Sequence, residues 1–449
     1  LIHATYLSPI NVVLSSFQRM VQFRDTLTTV VVPLTGARVV QSSGGAAGGV
    51  VSEGQGYGLL IGGTVVASLN PADPRWAVAV TFTYQLFLGW KRMCQLTNQG
   101  SCQQGGFNCG GIYPCLPNWK FDSGLTAALG TGSAPDGDED AILGMILFAQ
   151  ATRSRGFPWW TELAAWAYNS SKAFADFDTS LSPNGKNRIV RLGSCFGGWD
   201  CSNPSYFAPG HYRVFRDYML AYNAVEGQKY VPLWNNLVNT TYLVLQANQC
   251  PSSGLVTNWY VPNPSSPSTG GSVVSTCDFS GTPPAQFGSE ACRTPWRVTL
   301  DYLWYPDQSQ NAGNAAFARR VASEVTSKLK LATSACMSVG CNQAIKLDIP
   351  ASCFVKSVLD PWTDIMFMFG PLSVSLMVPL LPTDPQASFQ QNALNLAALK
   401  VNRTSLVDYY SGSWLTITTM TLSQDLVCAN PYTAQCKTRL GKGKREHAP

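Results

Sequence analysis

Ser52-Glu53-Gly54-Gln55-Gly56-Tyr57-Gly58 stands at the head of an apolar, helix-like segment near residues 54–69. It sets a single carboxylate before three alternate glycines, which puts an acid at a helix N-terminus beside backbone that a ligand can approach closely. The same placement suits a plain N-terminal capping acid, and the stretch alone weighs the two readings equally. Far downstream, Ser289-Glu290-Ala291-Cys292-Arg293-Thr294-Pro295-Trp296-Arg297 again places one carboxylate among small residues at a helix start. Two such carboxylates facing each other across a cleft are what acid/base hydrolysis of a glycosidic bond requires.

Outward from these stretches, helix-like segments recur near residues 8–30, 73–93, 137–153, 157–174, 208–222, 228–248, 290–305, 312–332, 362–379, 386–400 and 406–424, separated by Gly-, Pro- and Asn-rich loops. Thr29 to Val32 is β-branched and suits a strand as well as the end of the first helix. With the segment after Glu53 the helices number twelve. That count suggests an all-α fold, six hairpins closed into an (α/α)6 barrel, although by itself it is compatible with any large helical fold. Three connections are long: 94–136 with four cysteines, 176–207 with an Asn184-Gly185 hairpin signal before Arg188-Ile189-Val190-Arg191, and the Pro/Ser/Gly-rich 249–289. Ordered loops of this length tend to carry function. Here they are expected to be pinned by disulfides and to wall a substrate cleft. Gly44 to Gly49 reads as a flexible entry loop rather than a domain boundary. The expected organisation is one barrel domain over 1–436, followed by a basic, disordered tail at 437–449.

The 449 residues are 45% hydrophobic and only 13% charged, about half the usual ~25%. A low-charge, Gly- and Trp-rich surface suits a protein that handles neutral polymers outside the cell. A net charge of +5, dispersed along the chain, does not indicate nucleic acid. Fourteen cysteines without any CxxC spacing do not fit zinc knuckles, and with sequons at Asn169, Asn239 and Asn402 they favour an oxidising, secretory route. Short spacings make Cys195–Cys201, Cys336–Cys341 and Cys428–Cys436 the candidate local pairs. The chain starts at Leu1 and no signal peptide is visible. Ile365 to Leu381, the longest apolar run, is broken by Gly370-Pro371 and reads as a core helix, not a membrane span. The expected protein is a monomer.

Three histidines, two of them near the chain ends, rule out a His-rich metal site and leave only His211 for a Ser-His-Asp triad, with no nucleophile elbow to serve it. Gly54, Gly56 and Gly58 follow GxGxG, not the dinucleotide fingerprint. No cofactor is expected. Asp136-Gly137-Asp138-Glu139-Asp140 suits a solvated helix start, and lacks the ligand pattern of a calcium loop. A carboxylate here can also hold sugar hydroxyls. Pro204 to Tyr212 is dense in aromatics, which suits stacking on sugar faces as well as core packing. Among the tryptophans, Trp119 and Trp259 are favoured for the cleft because each lies in a loop.

Taken together and in this order, these stretches, with Gly254 to Trp259, Asp301-Tyr302, Tyr409-Tyr410 and Trp414, resemble glycoside hydrolase family 8 over roughly residues 45–426. The resemblance implies an (α/α)6 barrel and inverting, endo-acting hydrolysis of a polysaccharide, with β-1,4-glucan as first choice. Xylan, mixed-linkage glucan and chitosan are alternatives within the family, and a catalytically weakened carbohydrate-binding protein is a further one. Carried over by residue, it makes Glu53 the general acid, Asp138 the carboxylate that grips and distorts the central sugar with Asp136 close in register, and Tyr206 a lining residue of the reaction centre. Arg293, Asp136, Trp119, Trp259, Tyr409 and Tyr410 are assigned to substrate binding. The family's usual base is an aspartate; Glu290 stands at that position, its reach longer by one bond, ~1.5 Å, and is kept as the general base, with another acid such as Asp301 as the alternative. Asp301 is expected to be structural, salt-bridged or hydrogen-bonded beneath the cleft.

Overall fold

A computed structural model describes residues 6–10, 14–32, 35–42, 48–97, 109, 113–273, 283–306, 311–329, 345, 347, 349 and 361–433. Helices α1 (Ser16–Leu27), α2 (Ser52–Ser68), α3 (Pro74–Leu96), α4 (Pro135–Thr152), α5 (Trp160–Phe177), α6 (Pro209–Tyr222), α7 (Ala224–Asn248), α8 (Thr294–Trp304), α9 (Asn311–Leu329), α10 (Met366–Val374), α11 (Gln390–Arg403) and α12 (Tyr409–Leu422) follow in turn, and a short α13 (Asp425–Ala429) comes last. The even-numbered helices α2, α4, α6, α8, α10 and α12 pack each on the next, and α12 returns to α2, closing an inner ring. The odd-numbered helices lie outside it. This is the (α/α)6 barrel. Most of the inner helices are buried on all sides, and α2, α4 and α12 carry no apolar stripe because every face meets protein. Along the barrel's middle, Tyr57, Trp414, Trp296 and His211, one from each of four inner helices, stack edge to face at 5.2–5.6 Å.

Five glycines in α2 weaken it as an isolated helix, by about 1 kcal/mol each relative to alanine. They are offset by how closely α4 approaches. Gly56 lies over Gly137 and Gly63 over Gly144, each pair two turns from the other, and a Cβ on any of the four would collide with the opposite backbone. The glycines bring the starts of α2 and α4 together, and with them Glu53 and Asp136. Gly144→Ala is expected to destabilise the fold by roughly 1–3 kcal/mol, because its new methyl would press on the Leu59 carbonyl, which belongs to backbone and cannot rotate away. A lowered urea midpoint with unchanged slope would show it.

Strands are few. β1 (Thr28–Val32) pairs with β2 (Ala37–Val40), so the β-branched Thr29 to Val32 leaves α1 as a strand. A second pair joins β3 (Val50–Val51) to β4 (Lys120–Phe121) just ahead of Glu53. β5 (Thr179–Leu181) pairs with β6 (Arg188–Val190) across the Asn184-Gly185 turn, with Gly185 at φ 70°. Cys109 and Cys115 form a disulfide within the loop before α4. Cys195, Cys201 and Cys428 are also disulfide-bonded, while Cys336, Cys341, Cys436, Gly44 and the 437–449 tail lie outside the described residues. The run Ile365 to Leu381 becomes the buried α10 and the 3-10 turn after it. Among the described residues no helix is long and apolar enough to cross a membrane.

Candidate active site

The inner helices α2, α4, α6, α8 and α12 begin at one end of the barrel, where their N–H groups and the positive ends of their dipoles favour negative charge. Glu53 is the second residue of α2, Asp136 the second of α4, and Tyr409 the first of α12. Glu290 and Arg293 enter on the 3-10 turn Ala291–Arg293 that leads into α8, and Tyr206 on the turn Pro204–Tyr206 ahead of α6.

Arg293 ties these elements together. Its Nη1 donates to Glu53 Oε1 and, at 2.8 Å, to Asp136 Oδ2; its Nη2 donates to Glu290 Oε2 at 2.9 Å. Nε donates to Ser205 Oγ at 3.0 Å, and the guanidinium lies 5.1 Å over the Tyr206 ring. Glu53 is not a capping acid: its recorded partners are side chains. Oε1 also accepts the Tyr57 hydroxyl at 2.9 Å, and Oε2 the Tyr409 hydroxyl at 3.0 Å. Tyr57 stands one turn along the same helix face, four residues on. The Glu53 carboxyl is pushed up to about 8 by burial and by the Asp136 charge beside it, against the opposing pull of Arg293 and the Tyr57 hydrogen bond. One cation among three carboxyls is consistent with one of them keeping its proton, and Glu53 is that one. Burial also holds Tyr206 and Tyr409 well above the ordinary phenol range, so both remain hydroxyls.

The acids of α4 each take a different partner, and this corrects the assignment of Asp138. Asp138 is 0% exposed, so no sugar can reach it. It faces Asp178, whose Oδ1 accepts Ser133 Oγ at 2.5 Å. Burial and the Asp178 charge raise Asp138 well above the carboxylate range, and burial pushes Asp178 up to about 7, so the two share a proton. Asp136 is the carboxylate that meets Arg293 at the site. Two residues along a helix is a turn of about 200°, which sends Asp136 and Asp138 to opposite sides. Asp136→Asn should therefore lower kcat/KM at least tenfold, about 1.4 kcal/mol or more of transition-state binding. Asp138→Asn, neutral like the protonated acid and able to donate to Asp178, should stay within about threefold of wild type. Steady-state rates of the two variants decide between them.

Below the site, Arg297 grips Asp140 with two hydrogen bonds of 2.6 and 2.9 Å and meets Glu139 at 2.8 Å. Burial works against an ionised Asp140, yet Arg297 and His211 hold it below its usual range. His211 Nε2 lies 2.9 Å from Asp140, and burial pushes its pKa down to about 4. A neutral, fully buried histidine of this kind serves the core and no triad. Asp301 is structural as expected, held by Arg213 and by the Tyr242 hydroxyl, each at 2.8 Å.

Of the aromatic residues, Trp119 is 38% exposed and its carbonyl accepts the Ser52 N–H at 2.9 Å, which sets it at the rim beside Glu53. Trp259 does not line the cleft. It is 4% exposed, packed with Leu192 and Cys201 behind Tyr206, because the loop carrying it is itself buried. Tyr410 donates to the Ser289 carbonyl at 2.8 Å, steadying the loop that bears Glu290. Tyr57, Asn203 and Ser205 join the site without having been singled out in the sequence. Tyr57 was detectable from its four-residue spacing to Glu53; Asn203 and Ser205 reach the site through Glu290 and Arg293, far along the chain.

An acid kept protonated and two further carboxyls, gathered by one arginine at the mouth of a helical barrel, define a class of barrel glycosidases. Residues 112–356, more than half of the chain, match the model for glycosyl hydrolases family 8, and the chain belongs to that family. Endoglucanase C of Ruminiclostridium cellulolyticum is 28% identical over 198 residues, 42% of this chain and 35% of that protein, so the match spans about a third of its length. The fold recurs in solved structures. The apo β-1,3-1,4-glucanase from Paenibacillus sp. X4 aligns with a TM-score of 0.65 at 19% identity, over 96% of this chain and 98% of that one. Rex8A from Paenibacillus barcinonensis, complexed with xylose, gives 0.61 at 15%, over 93% and 97%.

Proposed function

We propose that the chain is an inverting, endo-acting glycoside hydrolase that cleaves β-1,4-glucan. The observation that carries the reading is the Arg293 fork, which holds Glu53 and Glu290 on separate nitrogens. One guanidinium with a hydrogen bond at each end caps the gap between their nearest oxygens at about 8 Å. That ceiling admits separations within the about 6.5–9.5 Å at which inverting pairs leave room for one water, and also the roughly 5–5.5 Å of retaining pairs, so the anomer formed first decides between them.

In this mechanism Glu53, protonated below about pH 8, gives its proton to the leaving glycosidic oxygen as the bond to the anomeric carbon breaks. Glu290 takes a proton from a water that bonds to the same carbon from the opposite face. Asp136, in place of Asp138, grips hydroxyls of the central ring, and Trp119 offers a stacking face at the rim. Glucan is favoured by the endoglucanase relative; the glucanase and the xylose-bound neighbour make mixed-linkage glucan and xylan the arms of the test. The reading extends to a secreted, monomeric glycoprotein with one catalytic domain over 1–436 and a tail beyond it. In its support stand the disulfide-bonded cysteines and the sequon at the exposed Asn239.

Rates on carboxymethylcellulose, lichenan, xylan and chitosan, followed by proton NMR of the first product, test the proposal. Glucan should be cut fastest and the α-anomer should appear first. An initial β-anomer removes the inverting mechanism, and binding without turnover on all four turns the chain into a carbohydrate-binding protein.

A further inference from the structure

Around Glu290 the side chains close a circuit. Asn203, 1% exposed, stands at the entry of the turn Pro204–Tyr206, and its Oδ1 accepts both the Ser205 N–H at 3.0 Å and the Ser205 Oγ–H at 2.7 Å. Two donors on Oδ1 settle which way the amide faces, so Nδ2 is the atom presented to Glu290 Oε2, at 2.8 Å. Ser205 Oγ, its hydrogen given to Asn203, accepts Arg293 Nε–H at 3.0 Å, and Arg293 Nη2 returns to the same Glu290 Oε2 at 2.9 Å. Every hydrogen in the ring Glu290–Asn203–Ser205–Arg293 therefore has one consistent direction.

Two N–H donors converging on one carboxylate oxygen stabilise its charged form. They also remove the rotational freedom of a glutamate, whose three side-chain torsions would otherwise let the carboxylate wander.

We infer that Asn203 is the positioning residue of the base: through this circuit it keeps Glu290 ionised and aims it at the water. The inference rests on Glu290 acting as the base. Arg293 donates to Oε2 from the turn that follows Glu290 itself; Asn203 donates to the same oxygen from a different element, the turn ahead of α6.

The test compares wild type, Glu290→Gln, Asn203→Asp, Asn203→Ser and Ser205→Ala as full-length purified chains. The substrate is whichever of carboxymethylcellulose, lichenan and xylan wild type cuts fastest, with kcat and KM recorded from pH 4 to 9. Asn203→Asp keeps shape and the acceptor toward Ser205 but sets a second carboxylate oxygen against Glu290. Like charge raises the base's pKa, so the acidic limb of kcat/KM should move up by about one pH unit or more. Asn203→Ser removes the donor, and kcat should fall about a hundredfold with KM little changed. Ser205→Ala breaks the ring one bond away and should shift the limb in the same direction. A residue that only supports the fold would lower the melting temperature without moving the limb. If Glu290→Gln keeps near-normal turnover, the base assignment fails and this inference with it. If Glu290→Gln is inactive while the folded Asn203 and Ser205 variants keep the wild-type limb and kcat, the inference alone is overturned.

Discussion

Replacing Glu53 by glutamine is expected to lower kcat by roughly 10²–10⁴-fold, the usual worth of a positioned general acid, while leaving the fold intact. Glutamine can still accept from Tyr57 and Arg293 through its carbonyl oxygen and can donate to Tyr409, so the local hydrogen bonds are largely kept. What it lacks is the transferable proton. The pH dependence separates this role from a structural one. Glu53 rises from 4.5 to about 8 on folding, so between those values the native state binds more protons than the unfolded one. Its contribution to stability is then fully present below about pH 4.5 and is lost as pH rises through about 8. Glutamine does not titrate. The melting temperature of Glu53→Gln relative to wild type should accordingly climb between pH 5 and pH 9, while its activity stays low throughout. Wild-type kcat/KM should decline on the alkaline side near pH 8. Near-normal turnover in the variant, at any pH, would remove Glu53 from the chemistry.

Loss of Arg293 should have the second largest effect, on both stability and rate. The side chain is almost wholly buried and is the shared partner of Glu53, Asp136 and Glu290. Arg293→Ala leaves these carboxyls facing one another without their cation, and breaking a buried ionic network in this way costs about 3–5 kcal/mol. The sign with pH follows from which form suffers. Without the guanidinium the carboxylates are harder to ionise, so the penalty is largest at neutral and alkaline pH and shrinks toward pH 4 as they protonate. Urea unfolding at pH 4.5 and 8 should show the gap between wild type and variant widening at the higher value. Activity should vanish, because a base kept protonated cannot accept a proton. Arg293→Lys tests geometry apart from charge. A single ammonium reaches one or two of the carboxyls but has no fork, and it loses the contact with Ser205. It should retain much of the stability and little of the rate. Equal recovery of both would mean that charge alone, and not the fork, organises the site.

Most helices were legible along the chain because their apolar spacing and their flanking Gly, Pro and Asn residues act over one or two turns. The strand Thr28–Val32 and the Asn184-Gly185 turn were legible for the same local reason. Glu53, Glu290, Arg293 and Tyr206 stood out through motifs that keep each of them at the start of an element. The choice between Asp136 and Asp138 was not available there. Both sit in one acidic run, and which of them faces the cleft depends on the rotation of α4, set by Gly137 and Gly144 against the backbone of α2. Trp259 misled for a related reason: a loop in sequence is exposed only if nothing covers it, and this one packs behind Tyr206.

By itself, then, the order of residues indicated most of the helices and the acids placed at their ends, since each of these follows from forces between near neighbours. Only the tertiary structure decided which carboxyls share Arg293, which one keeps its proton and how Asn203 reaches Glu290. Those outcomes depend on burial and on the fields of groups scores of residues away, which exist only once the ring of helices has closed.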